Sequence, residues 1–173
     1  MNPTLSYNPE SRAGRIYIDN LLFVMKQMRA VTLRIVERLD TDQLDRHAYP
    51  KMNSIASLLR HIACFTESTR LAIFESRRFN ATELEYWSGA LPNLPLKSPG
   101  GYPLSYYTTL LAETSSRLHG QVSERSDDWL LAPRGDSHTQ NWNYYFKLFH
   151  LVEDEISHRG QIKLAIRLMR SLA

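Results

Sequence analysis

The chain has 173 residues, of which 43% are apolar, 23% charged and 10% aromatic, and its 21 basic and 18 acidic side chains leave a formal charge of +3. That composition excludes a disordered or fibrous chain, and arginines dispersed along the sequence without a basic run give no reason to expect nucleic-acid binding. No stretch approaches the roughly 18 uninterrupted apolar residues of a membrane helix, so a membrane protein is excluded as well.

In chain order, the N-terminal "MNPTLSYNPESRAGR" lacks the apolar core of a signal peptide, which makes a cytoplasmic location the expectation. The lone Cys64 rules out an intrachain disulfide framework and suits a reducing compartment. The first helix is predicted over Ile16 to Leu39, where Leu21, Leu22, Met25, Met28, Val31 and Ile35 recur at spacings of three and four. "LDTDQLD" then reads as a turn, and Pro50 stops any further helix. Asn53 and Ser54 are good N-cap residues for a second helix, carried by Ile55, Leu58, Leu59, Ile62 and Phe65 and reaching about Phe74.

Four prolines and two glycines make residues 91–103 a long connection. A third helix is expected over Leu104 to Val122. A polar stretch over 123–140 leads to a fourth from about Asn141, a reasonable N-cap, to Leu172. No stretch alternates as a strand does. The expected architecture is all-α: a four-helix bundle with long crossover connections, in a single domain over 1–173.

The fourth helix carries the chemistry. Leu151, Asp154, His158, Ile162, Ala165 and Met169 share one face, and two of these six are ionisable. Burying an unpaired polar group costs roughly 1–3 kcal/mol, so both need partners. A hydrogen-bonded Asp–His pair at the bundle's mouth is one account and, for an isolated D-x-x-x-H, the commoner one. The other is half of a metal site, since groups four apart on a helix can reach one ion and bundle cores receive ligands from facing helices. His150 and His158 stand about 12 Å apart along the axis, too far to share an ion bound at about 2 Å, and His158 continues the apolar seam where His150 does not. A third group is available on the second helix at His61, three residues after Leu58 and four before Phe65, although a histidine there is more often an ordinary core residue. Cys64, one turn on, reads as an apolar filler.

"NSIASLLRHIA" at 53–63 and "NWNYYFKLFHLVEDEISHRGQI" at 141–162, above all the closing H-R-G-Q-I, resemble the two most characteristic stretches of the DinB superfamily, which includes bacillithiol-transferase-like proteins. The resemblance implies a four-helix bundle, commonly a homodimer, holding a divalent ion such as zinc, nickel, iron or manganese through three histidines. Those positions fall on His61, Asp154 and His158. The middle one departs from the pattern, a carboxylate standing where the family has histidine.

Asp154 either ligates the ion itself or only orients an imidazole. The implied activity is transfer of a small-molecule thiol to an electrophile, or hydrolysis of a small substrate, with residues 91–103 and 123–140 as the substrate rim. The alternative is a non-catalytic bundle with a degraded site. Arg159, Gln161 and Trp142 read as packing residues.

Overall fold

The computed structural model describes residues 14–91, 96–134 and 142–171, and within them every regular element is helical. Four long helices build the bundle: α1 (Ile16–Val36), α3 (Ile55–Arg70), α5 (Leu104–Ser123) and α7 (Tyr144–Ser171). Three short ones lie in the connections: α2 (Thr41–Asp45), α4 (Ala81–Tyr86) and α6 (Asp127–Leu131). Helix α3 packs on α5 and α7, and α1 packs on the same two, so the order around the bundle is α1, α5, α3, α7. The consecutive long helices α1 and α3 therefore sit on one diagonal and α5 and α7 on the other. Each diagonal needs a crossover, from α1 to α3 and from α5 to α7, whereas the longest connection, between α3 and α5, joins adjacent helices.

The short helices correct the sequence reading. "LDTDQLD" is a helical turn closed by a reciprocal capping box, in which Asp40 accepts from the Gln43 amide while the Gln43 side chain accepts from the Asp40 amide. Asn80 and Glu83 form the same device ahead of α4, and Ser126 caps α6 inside the stretch read as irregular. Elements of five or six residues are too short to show a period, and their caps are their only signal. The long helices fall close to expectation. Ser54 caps α3 by accepting from the Ser57 amide, and a π turn, Leu71–Glu75, prolongs that helix to a left-handed end at Ser76. Helix α1 stops at Val36, short of Leu39. Helix α7 is capped by Asn143, whose side-chain oxygen accepts from the Phe146 amide at 2.9 Å, while Asn141 and Leu172 lie outside the described residues.

Two apolar clusters fill the interior. One joins Leu58, Leu59 and Ile62 of α3 to Leu111 of α5 and Ile162 and Ala165 of α7. The other joins Ile18 and Leu21 of α1 to Leu118, Leu130 and Leu148. Polar groups between them are satisfied internally: Thr32, Thr66 and Thr114 each donate to the carbonyl one turn back. Arg29 of α1 grips Glu155 of α7 through two bonds, at 2.9 and 3.1 Å, and reaches the Leu111 carbonyl and Ser115 hydroxyl of α5. One side chain thus ties three long helices together.

The fold also gathers charges that look dispersed in the sequence. Arg34, Arg38 and Arg46 line one cleft with Arg170, and Lys163 and Arg167 line a second that shares Arg170. Among the described residues, no helix is long and apolar enough to cross a membrane.

Candidate metal centre

His61 lies near the middle of α3, on a helix whose apolar residues bury nearly its whole circumference. Its imidazole is held by the loop after α4, where Nδ1 donates to the Ala90 carbonyl at 2.8 Å. That bond places the proton on Nδ1 and leaves the lone pair on Nε2, which points at α7. Burial lowers the pKa of His61 most, nearby His158 adds to the lowering, and the Ala90 bond and Asp154 oppose it, so the ring is neutral at neutral pH.

Opposite it, Asp154 and His158 sit one turn apart on α7. The Asp154 Oδ1 atom is 3.3 Å from His158 Nε2 and 3.9 Å from His61 Nε2, and the two imidazoles meet edge to face with centroids 4.7 Å apart. Side-chain exposures of 7% for His61, 15% for His158 and 19% for Asp154 make the group sheltered but not sealed. One donor atom from each residue lies within 4.8 Å of the others. Adjacent ligands on a tetrahedral ion with bonds of about 2.0–2.1 Å stand about 3.3 Å apart. The edge within α7 already has that length, and the Asp154–His61 edge to α3, at 3.9 Å, is longer.

The donor set fits a divalent ion: two imidazoles and one carboxylate is a borderline-hard set that suits zinc and iron-like metals. The two imidazoles are supported unequally. Where His61 has Ala90, the His158 Nδ1 is buried with no hydrogen-bond partner among the described residues.

Sequence patterning had suggested these three residues as a group, and the structure brings them together. His150 is elsewhere: its ring is more than half exposed, paired with Glu153 at 3.3 Å and set edge-on to Phe65. Cys64 is fully buried and burial pushes its thiol up to about 12, in keeping with a packing role. Arg159 reaches back to the Met28 carbonyl of α1, Gln161 is exposed, and Trp142 packs against Tyr144 under the Lys147 ammonium. Sequence reasoning missed Ala90, which acts through a backbone carbonyl 29 residues away that no side-chain pattern encodes.

The sequence profile of the DinB superfamily matches residues 25–162, which include all three donors. The chain belongs to the DinB superfamily. Solved structures with the same fold include a conserved protein from Enterococcus faecalis, 12% identical with a TM-score of 0.67 over 91% of this chain and 97% of that one. Another is a Streptococcus pneumoniae protein, 12% identical with a TM-score of 0.66 over 94% and 93%. YfiT of Bacillus subtilis, described as a probable metal-dependent hydrolase with an unusual four-helix bundle topology, is 16% identical with a TM-score of 0.61 over 96% and 95%. At such identities the likeness to this DinB chain is one of fold. Among curated proteins, none matches it by sequence.

Proposed function

We propose that the chain is a metal-dependent enzyme acting on a small molecule, with His61, Asp154 and His158 holding a divalent ion, and that it transfers a low-molecular-weight thiol to an electrophile. The observation that carries the proposal is the convergence of two imidazole nitrogens and a carboxylate oxygen, from two helices, within 4.8 Å at a partly open position. Three protein donors leave room for an exogenous ligand, the mark of a catalytic site over a closed structural one. The ion supplies Lewis acidity, favouring the deprotonated form of a thiol or water that reaches it.

The chain's own residues divide the remaining work. Ala90 fixes the His61 tautomer so that Nε2 is available without loss of a proton. Asp154 contributes negative charge that a third histidine would not, making an ion at this site less electrophilic than one bound by three neutral imidazoles. The only cysteine is buried and its thiol raised to about 12, so a thiol substrate must come from solution. Thiol-transferring members of the superfamily supply the reaction class, while the description of YfiT favours hydrolysis as the second reading.

Elemental analysis of untagged protein, purified without chelator and supplemented with zinc, nickel, manganese or ferrous iron, tests the centre: about one ion per chain is expected, and under about 0.1 overturns it in favour of a non-catalytic bundle. With the metal in place, loss of free thiol in the presence of an aryl halide supports transfer. Cleavage of an activated ester without any thiol supports hydrolysis instead. We extend the proposal to a homodimer, because Phe146, Phe149, Ile156 and Leu164 leave an apolar outer face on α7. Sedimentation at the monomer mass would remove that part alone.

A further inference from the structure

Arg60 precedes His61 on α3 and is only 5% exposed. Its Nη1 donates to the Ser88 carbonyl at 2.6 Å and its Nη2 to the Tyr86 carbonyl, and the guanidinium lies 5.8 Å from the ring centres of Tyr86 and Trp87. Carbonyl dipoles and ring faces solvate a cation without neutralising it. Of the acidic groups nearby, Glu67 pairs with Arg70 and Arg117, Glu83 with Arg77, and Asp45 accepts from the Gly101 amide, while Glu113 acts on Tyr86 at longer range. Among the described residues no carboxylate pairs with Arg60, and its Nε is buried with no hydrogen-bond partner. Of the undescribed residues, 92–95 read Pro-Asn-Leu-Pro, and the acids among the rest are Glu10 and Asp136. A buried cation that no described carboxylate pairs is costly and marks a place where an anion would be stabilised.

That guanidinium lines a cleft of about 600 Å3 together with Tyr86, Tyr102, Tyr106, Ser98 and Lys97. This is the size of a small-molecule site, and no carboxylate is among its walls. Its shape is built in. Gly89, at φ 76°, lets the chain pass so close to Lys97 that an added Cβ would stand 2.9 Å from the Lys97 Cβ, and the Lys97 amide donates to the Gly89 carbonyl at 2.7 Å. On the far side, Ser98 Oγ and Tyr107 Oη are 2.7 Å apart, and the Tyr102 and Tyr106 rings meet at a tilt with centroids 4.3 Å apart. Burial, a hydrogen bond that Tyr86 donates to Tyr106 and the nearby Glu113 carboxylate push the Tyr86 phenol up to about 12, so it stays neutral beside an anion.

Two cations and three phenol rings, with no carboxylate among the described walls and Glu113 outside them near Tyr86, select for negative charge on a flat, stackable body. We propose that this cleft, separate from the metal donors, binds a small aromatic anion, a ring bearing a carboxylate or phosphate group. The cleft and the metal centre are linked through one loop, whose Tyr86, Ser88 and Ala90 carbonyls hold Arg60 and His61.

The test is calorimetric titration of the full, metal-free chain with benzoate, phenyl phosphate and benzyl alcohol. Removing metal excludes it as the anion's ligand, so failure here leaves the metal-centre reading standing. At least one of the two anions is expected to saturate in the millimolar range or below, with benzyl alcohol weaker by roughly tenfold or more. The Lys97→Gln, Tyr102→Ala double variant, which leaves the buried Arg60 intact, should bind that anion several-fold more weakly at an unchanged Tm. Arg167→Gln, in the cleft lined by Lys163 and Arg170, should bind it as the parent does. Benzyl alcohol binding as well as the anions, no saturation by either anion up to about 10 mM, or loss in Arg167→Gln in place of the double variant would each overturn the proposal.

Discussion

Asp154 and Glu155 are neighbouring carboxylates on one helix, and they have opposite circumstances. Glu155 is buried against Arg29 in a two-pronged ion pair at 2.9 and 3.1 Å, the strongest geometry available to a carboxylate. Asp154, about 100° around the helix, faces only imidazole nitrogens at 3.3 and 3.9 Å among the described residues. One carboxylate is saturated and holds the bundle closed; the other is held near two imidazole nitrogens with capacity to spare. The difference teaches that ionisable residues inside a bundle are told apart by how completely their partners use them. The complete set is structural and the incomplete set is where a ligand belongs.

The largest effect should come from breaking the saturated side. Glu155→Ala strands the Arg29 guanidinium in the interior and is expected to cost about 3–5 kcal/mol of stability in the metal-free protein, read by urea unfolding. A loss below about 1 kcal/mol would show that the pair is not a keystone. On the open side the pattern inverts. Asp154→Ala should lower zinc affinity by about a hundredfold or more while moving metal-free stability by less than about 1 kcal/mol. Asp154→His, which restores the family's usual donor, should bind zinc at least as tightly as the parent. If Asp154→Ala binds metal like the parent, the carboxylate is no ligand.

How far this contrast is legible in the sequence depends on the side. The four long helices announce themselves through apolar residues at spacings of three and four, and Asp154 and His158 stand out because they interrupt such a seam. Glu155 was equally readable in principle, being three residues after Val152 and four after Leu151, both buried. It was overlooked because a bundle helix packed on two neighbours has two inward faces, while a single seam accounts for one. Its partner was harder to find, since nothing in the α1 sequence says that Arg29 turns inward with Met25 and Thr32. The short helices α2, α4 and α6 carry no period, only caps. Contacts made by backbone carbonyls, such as Ala90 to His61, leave no trace in residue identity, and the gathering of dispersed arginines into adjoining clefts emerges only once α1, α2 and α7 are packed.

A smaller effect probes the saturated side through pH. His119 lines the same cavity of about 20 Å3 as Arg29 and Glu155, room for one water. Its pKa is pushed down to about 4, chiefly by burial and then by the Lys26 and Arg29 cations. The unfolded chain takes up this proton near pH 6.5, while the folded chain resists it until about pH 4. The stability at stake is therefore fully present above pH 6.5 and declines as pH falls through the window to about 4. His61, also lowered, adds in the same direction. At about 1.4 kcal/mol per unit of pKa, and with His119 partly exposed, about 1–3 kcal/mol is expected. His119→Gln should flatten the acid limb of the stability profile by that amount; an unchanged limb would mean the imidazole is protonated in the fold.

The smallest effect is expected at the residue nearest the site in sequence yet outside it. His150 lies one turn before Asp154, more than half exposed, edge-on to Phe65 and paired with Glu153, itself exposed. Surface ion pairs of that kind contribute about 0–1 kcal/mol and are screened by salt. His150→Ala should leave zinc stoichiometry and affinity at parental values and shift stability by no more than about 0.5 kcal/mol. The spacing of His150, Asp154 and His158 treats the two histidines alike, so this variant set beside His158→Ala separates sequence spacing from three-dimensional placement. A comparable loss of zinc in both would require α7 to present a face other than the one seen packed against His61, and would undo the contrast between the two carboxylates at its root.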